Sequence, residues 1–208
     1  SVRVFQVNSG ANLTINNVTV RNGNARDGGG GIRNAGTLTM TNCTVSGNSA
    51  GPGGGIYNGG TLTMINCTVS GNSAPAGGGI RNDSGGTLTM INCTVSGNSV
   101  RADGFGGGIY NGGTLTMTNC TVSGNSANFD GGGGGILNIG TLTMTNCTVS
   151  GNSAFDDGGG IVNIDGSTLN LNNSIVANNS ASSGPDISGS VSSGDFNLIK
   201  DTSGISGT

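Results

Sequence analysis

The sequence predicts an all-β fold, a right-handed parallel β-helix (solenoid) of about seven rungs of 24–27 residues, with three short strands in each rung. Three observations lead to this prediction: a repeat of that length, a strict alternation of apolar and polar residues, and glycines and asparagines at fixed positions between the alternating segments. One unit cannot bury its apolar side chains alone, so stacked units are expected to share one core. The units begin at equivalent leucines: Leu13, Leu38, Leu62, Leu88, Leu115, Leu142 and Leu169.

The first strand of a rung is predicted from the alternation in segments such as TLTMT. Leu38 and Met40 fall on one face of this strand and Thr37 and Thr39 on the other, because side chains alternate with a period of two. Asn42 then interrupts the alternation. Asparagine tolerates the left-handed backbone conformation, so a sharp corner is expected here.

The second strand follows at once, with Cys43 and Val45 pointing inward. Gly47 and Asn48 mark the next turn, and a loop of variable length comes after it. A short third strand, GIYN in this rung, is closed by two glycines. No unit has apolar residues at helical spacing, so the three strands are expected to form a triangular coil.

Stacking places like residues on like, and four inward columns should form the core. Besides the leucines, these are Ile15-Met40-Met64-Met90-Met117-Met144-Leu171, Val20-Val45-Val69-Val95-Val122-Val149-Val176 and Ile32-Ile56-Ile80-Ile109-Ile136-Ile161. We expect residues 1–180 to form the rungs, as part of a longer protein that is truncated at the N-terminal end. Residues 181–208 should form a C-terminal cap or the start of a linker.

Two columns of asparagine are expected to hydrogen-bond from rung to rung and to satisfy polar groups that would otherwise be buried. They are Asn17, Asn42, Asn66, Asn92, Asn119, Asn146 and Asn173 at one corner, and Asn34, Asn58, Asn82, Asn111, Asn138 and Asn163 at another. Most of the first column lies in Asn-Cys-Thr sequons, so glycosylation is the alternative interpretation. The structural interpretation is preferred because the corner needs the side chain.

Composition excludes several classes of function. The 7 basic and 10 acidic side chains give a net charge of −3, which offers no basic surface for nucleic acid. No apolar run is long enough to span a membrane, and no cofactor motif is present.

Five cysteines share one position of the rung: Cys43, Cys67, Cys93, Cys120 and Cys147. Neighbouring strands lie about 4.8 Å apart with parallel side chains, whereas a disulfide needs Cβ atoms about 3.8 Å apart that turn toward each other. A stack of buried free thiols is therefore predicted. A metal site is disfavoured because histidine is absent and no CxxC pair occurs.

Two motifs support a family resemblance. Residues 54–58 (GGIYN) and 45–50 (VSGNSA) resemble the GGA(I/L/V) and FxxN repeats of the polymorphic outer-membrane proteins, with Val in place of Phe. The phrase GTLTMTNCTVSGNSA followed by GGGI is similar to the β-helical repeats of bacterial surface proteins of the choice-of-anchor class, and residues 173–179, 184–189 and 196–199 resemble the ends of such repeats. The resemblance implies a right-handed β-helix, export, and an extracellular or cell-surface location. It carries over no catalytic residues.

Candidate ligand-binding residues lie on the outward side of the third strand and in the loops before it. Arg and Tyr alternate there beside Asp-bearing loops, and such side chains bind glycans or proteins by stacking and hydrogen bonding. The candidates are Arg33, Tyr57, Arg81, Tyr110, Asp103 and Asp130. A weak calcium site at Asp156 and Asp157 is an alternative, although no EF-hand or GGxGxD pattern is present.

The outward face of the first strand is the second candidate surface. It forms a regular, uncharged grid of threonines: Thr37, Thr39, Thr61, Thr63, Thr87, Thr89, Thr114, Thr116, Thr141, Thr143 and Thr168. The grid resembles the Thr-x-Thr ice-binding faces of β-solenoid antifreeze proteins. The competing interpretation is that threonine is simply a favourable residue for an exposed strand.

The leading functional prediction is a non-catalytic, secreted or cell-surface scaffold with an adhesive or structural role. An ice-binding protein is the second prediction. A polysaccharide-binding or lyase-like module is the third, weakened by the absence of His and Glu. The expected partners are ice, or a glycan or other cell-surface ligand, with end-to-end or lateral self-association as a further option.

Overall fold

The computed structural model describes residues 2–128 and 132–206, and it describes only the backbone of residues 102 and 103. The chain coils into a parallel β-helix in which each strand pairs with its equivalents one rung before and one rung after. Three sheets of eight strands run along the described residues, which confirms the predicted fold class and the three strands per rung. No helix within these residues is long and apolar enough to cross a membrane.

We name the sheets by their inward residues or outward surface. The threonine sheet contains Asn12–Asn16, Thr37–Thr41, Thr61–Ile65, Thr87–Ile91, Thr114–Thr118, Thr141–Thr145, Thr168–Asn172 and Ser193–Asp195. The valine sheet contains Thr19–Arg21, Thr44–Ser46, Thr68–Ser70, Thr94–Ser96, Thr121–Ser123, Thr148–Ser150, Ile175–Ala177 and Leu198–Ile199. The isoleucine sheet contains Phe5–Val7, Ile32–Asn34, Ile56–Asn58, Ile80–Asn82, Ile109–Asn111, Ile136–Asn138, Ile161–Asn163 and Ile187–Gly189.

A fourth, shorter sheet begins where the sequence predicts only a loop. It contains Asn24–Ala25, Ser49–Ala50, Ser73–Ala76, Ser99–Phe105, Ser126–Ala127 and Ser153–Ala154. These strands differ in length, and the register shifts between Ala74 and Ala76, which pairs with Phe105. Rungs also differ in length between the isoleucine and threonine sheets, where residues 83–86 and 164–167 replace the two residues 59–60 of a shorter rung.

The core is the predicted set of inward columns. The Leu, Met, Cys, Val and Ile side chains of the central rungs are at most 2% exposed. Residues align one to one across the threonine sheet, for example Leu62 with Leu88 and Met64 with Met90. The same side chain therefore packs against itself from rung to rung.

The asparagine column that begins at Asn17 forms an exposed corner. Its members have positive φ values between 46° and 57°, as the predicted left-handed turn requires. Their side-chain amides do hydrogen-bond between rungs, at 2.8–3.3 Å, which confirms the ladder. However, these side chains are exposed, so the expectation that this column satisfies buried polar groups is wrong. The backbone angle is the reason for Asn here.

Two other asparagine columns are buried. The column from Asn34 to Asn163 is at most 2% exposed and its amides bond rung to rung at 2.7–2.8 Å, as predicted. A further buried column lies where the sequence predicts only a turn: Asn48, Asn72, Asn98, Asn125, Asn152 and Asn179. Each amide from Asn48 to Asn152 donates to the next asparagine of this column at 2.9 Å.

A carboxylate terminates this last ladder. Asp186 is 1% exposed, and its Oδ1 accepts hydrogen bonds from the backbone N and the Nδ2 of Asn179 at 3.1 and 2.8 Å. The equivalent position in the preceding rung is Gly160, where a Cβ would lie 2.8 Å from Asn179 Nδ2. Glycine thus leaves room for the next asparagine, and Asp186 fills the corresponding space at the end of the column.

Candidate binding faces

The threonine sheet presents all eleven predicted threonines on its outward side. The outer column of Thr37, Thr61, Thr87, Thr114 and Thr141 is exposed, while most of the neighbouring column is half-buried. Pairing keeps both columns in register, with Thr87 opposite Thr61 and Thr89 opposite Thr63. Strand geometry then sets spacings of about 4.8 Å between rungs and about 6.6 Å along a strand.

No hydroxyl group of the grid hydrogen-bonds to another described residue, so these groups remain available to water or a ligand. A third outward column contains Thr41, Ile65, Ile91, Thr118 and Thr145. The regular Thr-x-Thr pattern ends at the strand of Thr168, where Asn170 pairs with Thr143. The pattern therefore spans five rungs.

The outward side of the isoleucine sheet carries the predicted Arg and Tyr residues in one stacked column. The Arg81 guanidinium lies 4.6 Å from the ring centroid of Tyr110 and 5.9 Å from that of Tyr57. The Arg33 guanidinium also lies over the Tyr57 ring, at 5.7 Å from its centroid. This distance range is that of cation–π contacts, so the four side chains form a continuous ladder.

Two aspartates fix the cations of this ladder. Asp27 pairs with Arg33 at 3.0 Å and with Arg3 at 2.6 Å, and the hydrogen bond from Arg3 is the main cause that lowers the Asp27 pKa below its ordinary value. Asp83 pairs with Arg81 at 3.0 Å and accepts a 2.6 Å hydrogen bond from the Tyr57 hydroxyl. Ion pairs and a hydrogen bond with Asp27 and Asp83 therefore hold the Arg/Tyr ladder in place.

The electrostatics of this network follow from its contacts. Burial and the bond to Asp83 raise the pKa of Tyr57, so it donates as a neutral phenol. Burial acts to raise the pKa of Asp83, but the bonds from Tyr57 and Arg81 outweigh it and leave that pKa below its ordinary value. Sequence reasoning missed Asp83 as a member of the site. Its position two residues after Arg81 on an outward column was the available signal.

The predicted ligand residue Asp130 lies outside the described residues, as does the side chain of Asp103, so their part in the site stays a prediction. Asp156 and Asp157 line a cavity of about 310 Å³ together with apolar side chains. Within the described residues no three His, Cys, Asp or Glu side chains stand together as a metal site. Calcium prefers six to eight oxygen ligands, which two carboxylates alone do not supply.

The cysteine column lies inside, between the threonine and valine sheets. All five thiols are free and at most 2% exposed. Each Sγ donates to a backbone carbonyl of its own rung, as from Cys93 to Ile91 O at 3.3 Å. Hydrogen bonds with neighbouring thiols, and then burial, raise the pKa of the Cys93 thiol. The predicted stack of free thiols is present, and it is sealed from solvent.

The geometry agrees with one family of known proteins. Residues 3–113 match the model of the family described as right handed beta helix region, which is more than half of the 208-residue chain. No curated protein and no solved structure gives a significant match. The matched residues form strands of all four sheets, each rung stacked on the one before. The chain therefore belongs to the right-handed β-helix family.

Proposed function

We propose that this chain is a β-helical scaffold of a secreted or cell-surface protein, of the kind found in bacterial surface repeat proteins, and that it binds a glycan or another surface ligand through the Arg/Tyr ladder. The observation that carries the proposal is the pre-positioned ladder of Arg33, Tyr57, Arg81 and Tyr110. Cations and rings held by neighbours lose little conformational entropy when a ligand binds. We propose no catalytic role for it.

The ladder also has the chemistry of a recognition surface. The Arg33 and Arg81 side chains keep 39% and 26% of their area exposed although both are ion-paired, so part of each side chain stays accessible to a ligand. Guanidinium groups and aromatic rings bind sugars and peptides by hydrogen bonding and stacking. The residues repeat on successive rungs, which suits an extended ligand that runs along the solenoid.

The test is adhesion to a panel of glycans and cell surfaces by the purified protein. Arg81→Ala and Tyr110→Ala should each weaken the attachment several-fold, because each removes one member of the ladder. Arg21→Ala is the matched control, since Arg21 is an exposed arginine on the valine sheet. If both ladder variants attach as well as the unchanged protein to every surface that binds it, the proposal is wrong.

The threonine grid supports ice binding as a second candidate function. The favouring observation is that the two threonine columns stay in register over five rungs and carry no charge and no hydroxyl bonded within the described part of the chain. A regular array of methyl and hydroxyl groups at fixed spacing is able to order water at matching positions. The same array is also what an ordinary exposed strand surface would have, so a measurement of ice-binding activity must distinguish the two interpretations.

Ice shaping and thermal hysteresis measure this directly. Thr89→Tyr or Thr116→Tyr, in the middle of the grid, should abolish both effects because the ring interrupts the flat surface. Thr94→Tyr is the matched control: it lies in the same rung as Thr89 but on the valine sheet. Absence of ice shaping by the unchanged protein at high concentration would exclude this function. Calcium-dependent release of unsaturated sugars from acidic polysaccharides would instead support a lyase.

A further inference from the structure

The outward surface of the isoleucine sheet changes character along the solenoid. After Arg33, Tyr57, Arg81 and Tyr110, the same column continues with Leu137 and Val162. The next outward position changes in the same two rungs to Ile139 and Ile164, where earlier rungs have Ala35, Gly59, Asp83 and Gly112. Four neighbouring positions have thus become apolar together.

These apolar side chains are costly to leave in water. Ile139 and Ile164 remain 44% and 45% exposed, and nearby Phe105 is 43% exposed. Leu137 and Val162, in the adjacent outward column, are buried and only 5% and 7% exposed. An exposed apolar cluster of this kind on a soluble protein usually marks a binding site.

The cluster surrounds a cavity of about 310 Å³. Its walls are the apolar side chains with Phe105 and Tyr110, and Asp156 and Asp157 lie on one side. This volume is at the lower end of the range for small-molecule sites, which are mostly apolar with a few polar groups that fix orientation. It suits a single ring or branched chain with one polar group.

The charge of the cavity selects the polar group. The carboxylates of Asp156 and Asp157 form no ion pair and no hydrogen bond with a described residue. The ion pairs among the described residues use Asp27 and Asp83 instead. The Arg81 guanidinium lies over the Tyr110 ring at 4.6 Å from its centroid, and its charge is already compensated by Asp83 at 3.0 Å. The described lining therefore carries two uncompensated negative charges beside an apolar surface.

We infer that this cavity binds an apolar monocation, a ligand in which one ring or branched aliphatic group carries one ammonium or guanidinium group. The body contacts Leu137, Ile139 and Val162, and the cation faces the two carboxylates. Such chemistry occurs in free aromatic amines and in peptides that place Lys or Arg beside an apolar residue. This site is separate from the Arg/Tyr ladder except for Tyr110, and it does not depend on adhesion or ice binding.

Methyl-detected NMR titration tests the inference on the whole chain. Phenethylamine is compared with its neutral analogue 2-phenylethanol and its anionic analogue 3-phenylpropionate. We expect shifts at the methyl groups of Ile139 and Ile164, and an affinity for the amine about fivefold above that for the alcohol, as a partly exposed ion pair provides. The acetylated dipeptide amide Phe-Lys distinguishes a peptide ligand from a free aromatic amine. If the cavity takes a peptide, the dipeptide should bind more tightly than phenethylamine.

The double variant Asp156→Asn/Asp157→Asn should lose the preference for the amine and retain the binding of the alcohol. Ile164→Ser should weaken both probes. Asp195→Asn, an exposed carboxylate on the threonine sheet, is the matched control and should change neither affinity. Equal binding of amine and alcohol, an unchanged preference in the double variant, or no shift at Ile139 and Ile164 would each overturn the inference.

Discussion

Two corners of each rung use asparagine in opposite ways. At the exposed corner, Asn92 has a φ of 53° and its amide faces solvent. At the buried corner of the same rung, Asn98 is 1% exposed and has no positive φ. The first position needs a backbone conformation, and the second needs a side chain that bonds in several directions.

The hydrogen bonds reflect this difference. The Asn98 amide donates to the carbonyls of Val69 and Ser96 and to the next asparagine, at 2.9–3.2 Å, and accepts from the N and Nδ2 of Asn72. The Asn92 amide only exchanges single bonds of 3.2 Å with its two neighbours in the column. A residue type that repeats in every rung therefore says little until its burial is known.

Asn98→Ala should produce the largest loss of stability. The substitution leaves the buried backbone N of Asn72 without its acceptor and removes one hydrogen bond each from Asn72 Nδ2 and from the carbonyls of Val69 and Ser96. Each lost bond costs about 1 kcal/mol, and an unsatisfied buried group costs about 1–3 kcal/mol. We expect a total of about 4 kcal/mol. The measurement is urea unfolding followed by circular dichroism, read as the midpoint because repeat proteins unfold in several steps.

Asn92→Ala in the same rung is the control for this experiment, since the two changes remove the same atoms. If the midpoints of the two variants fall together, burial does not distinguish the corners and the comparison fails.

Asp186→Asn should have the next largest effect. The carboxylate accepts two bonds from Asn179 through Oδ1 and one from the backbone N of Asp201 through Oδ2 at 2.9 Å. An amide keeps one acceptor and points an N–H group at one of these donors. We expect a loss of about 2 kcal/mol, measured by the same unfolding assay. Hydrogen exchange should localise the loss to the last rungs, and uniform exchange along the solenoid would contradict this role as a terminal acceptor.

The sequence predicted the columns better than their contacts. The period-two alternation around Leu38 and Met40 places the core because strand geometry leaves no other choice. For Asn48 the sequence predicts only a turn, because a Gly-Asn pair is a turn signal on its own. Its burial depends on the stacked rung and on Gly31, whose Cβ would lie 3.0 Å from Asn48 Nδ2. Such a contact between residues in different rungs has no local signature.

The candidate sites show the same limit. The outward threonines and the Arg/Tyr column follow from alternation alone. The pairing of Asp83 with both Tyr57 and Arg81 depends on side-chain directions that spacing does not specify. The apolar cavity depends on two adjacent columns changing in the same rungs, which the alternation within a single rung does not reveal.

Asn92→Ala should cost about 1 kcal/mol, for a reason different from that at Asn98. Alanine at a φ of 53° keeps the left-handed conformation with an unfavourable contact between its Cβ and the backbone, and no local hydrogen bond compensates for it. The urea midpoint should therefore shift slightly and the m-value should not change. A loss of stability as large as that of Asn98→Ala would mean that the hydrogen bonds of the exposed asparagine ladder stabilise the fold as much as the buried ones do.

Asn92→Gly gives the smallest expected effect and isolates the backbone term. Glycine adopts the left-handed conformation without a Cβ contact, so only the two exposed 3.2 Å bonds to Asn66 and Asn119 are lost. We expect a change within about 0.5 kcal/mol of zero in urea unfolding. Asn98→Gly, which is equally flexible but buried, should still lose several kcal/mol. Similar losses for the two glycine variants would show that the amide, and not the backbone angle, is what both corners need.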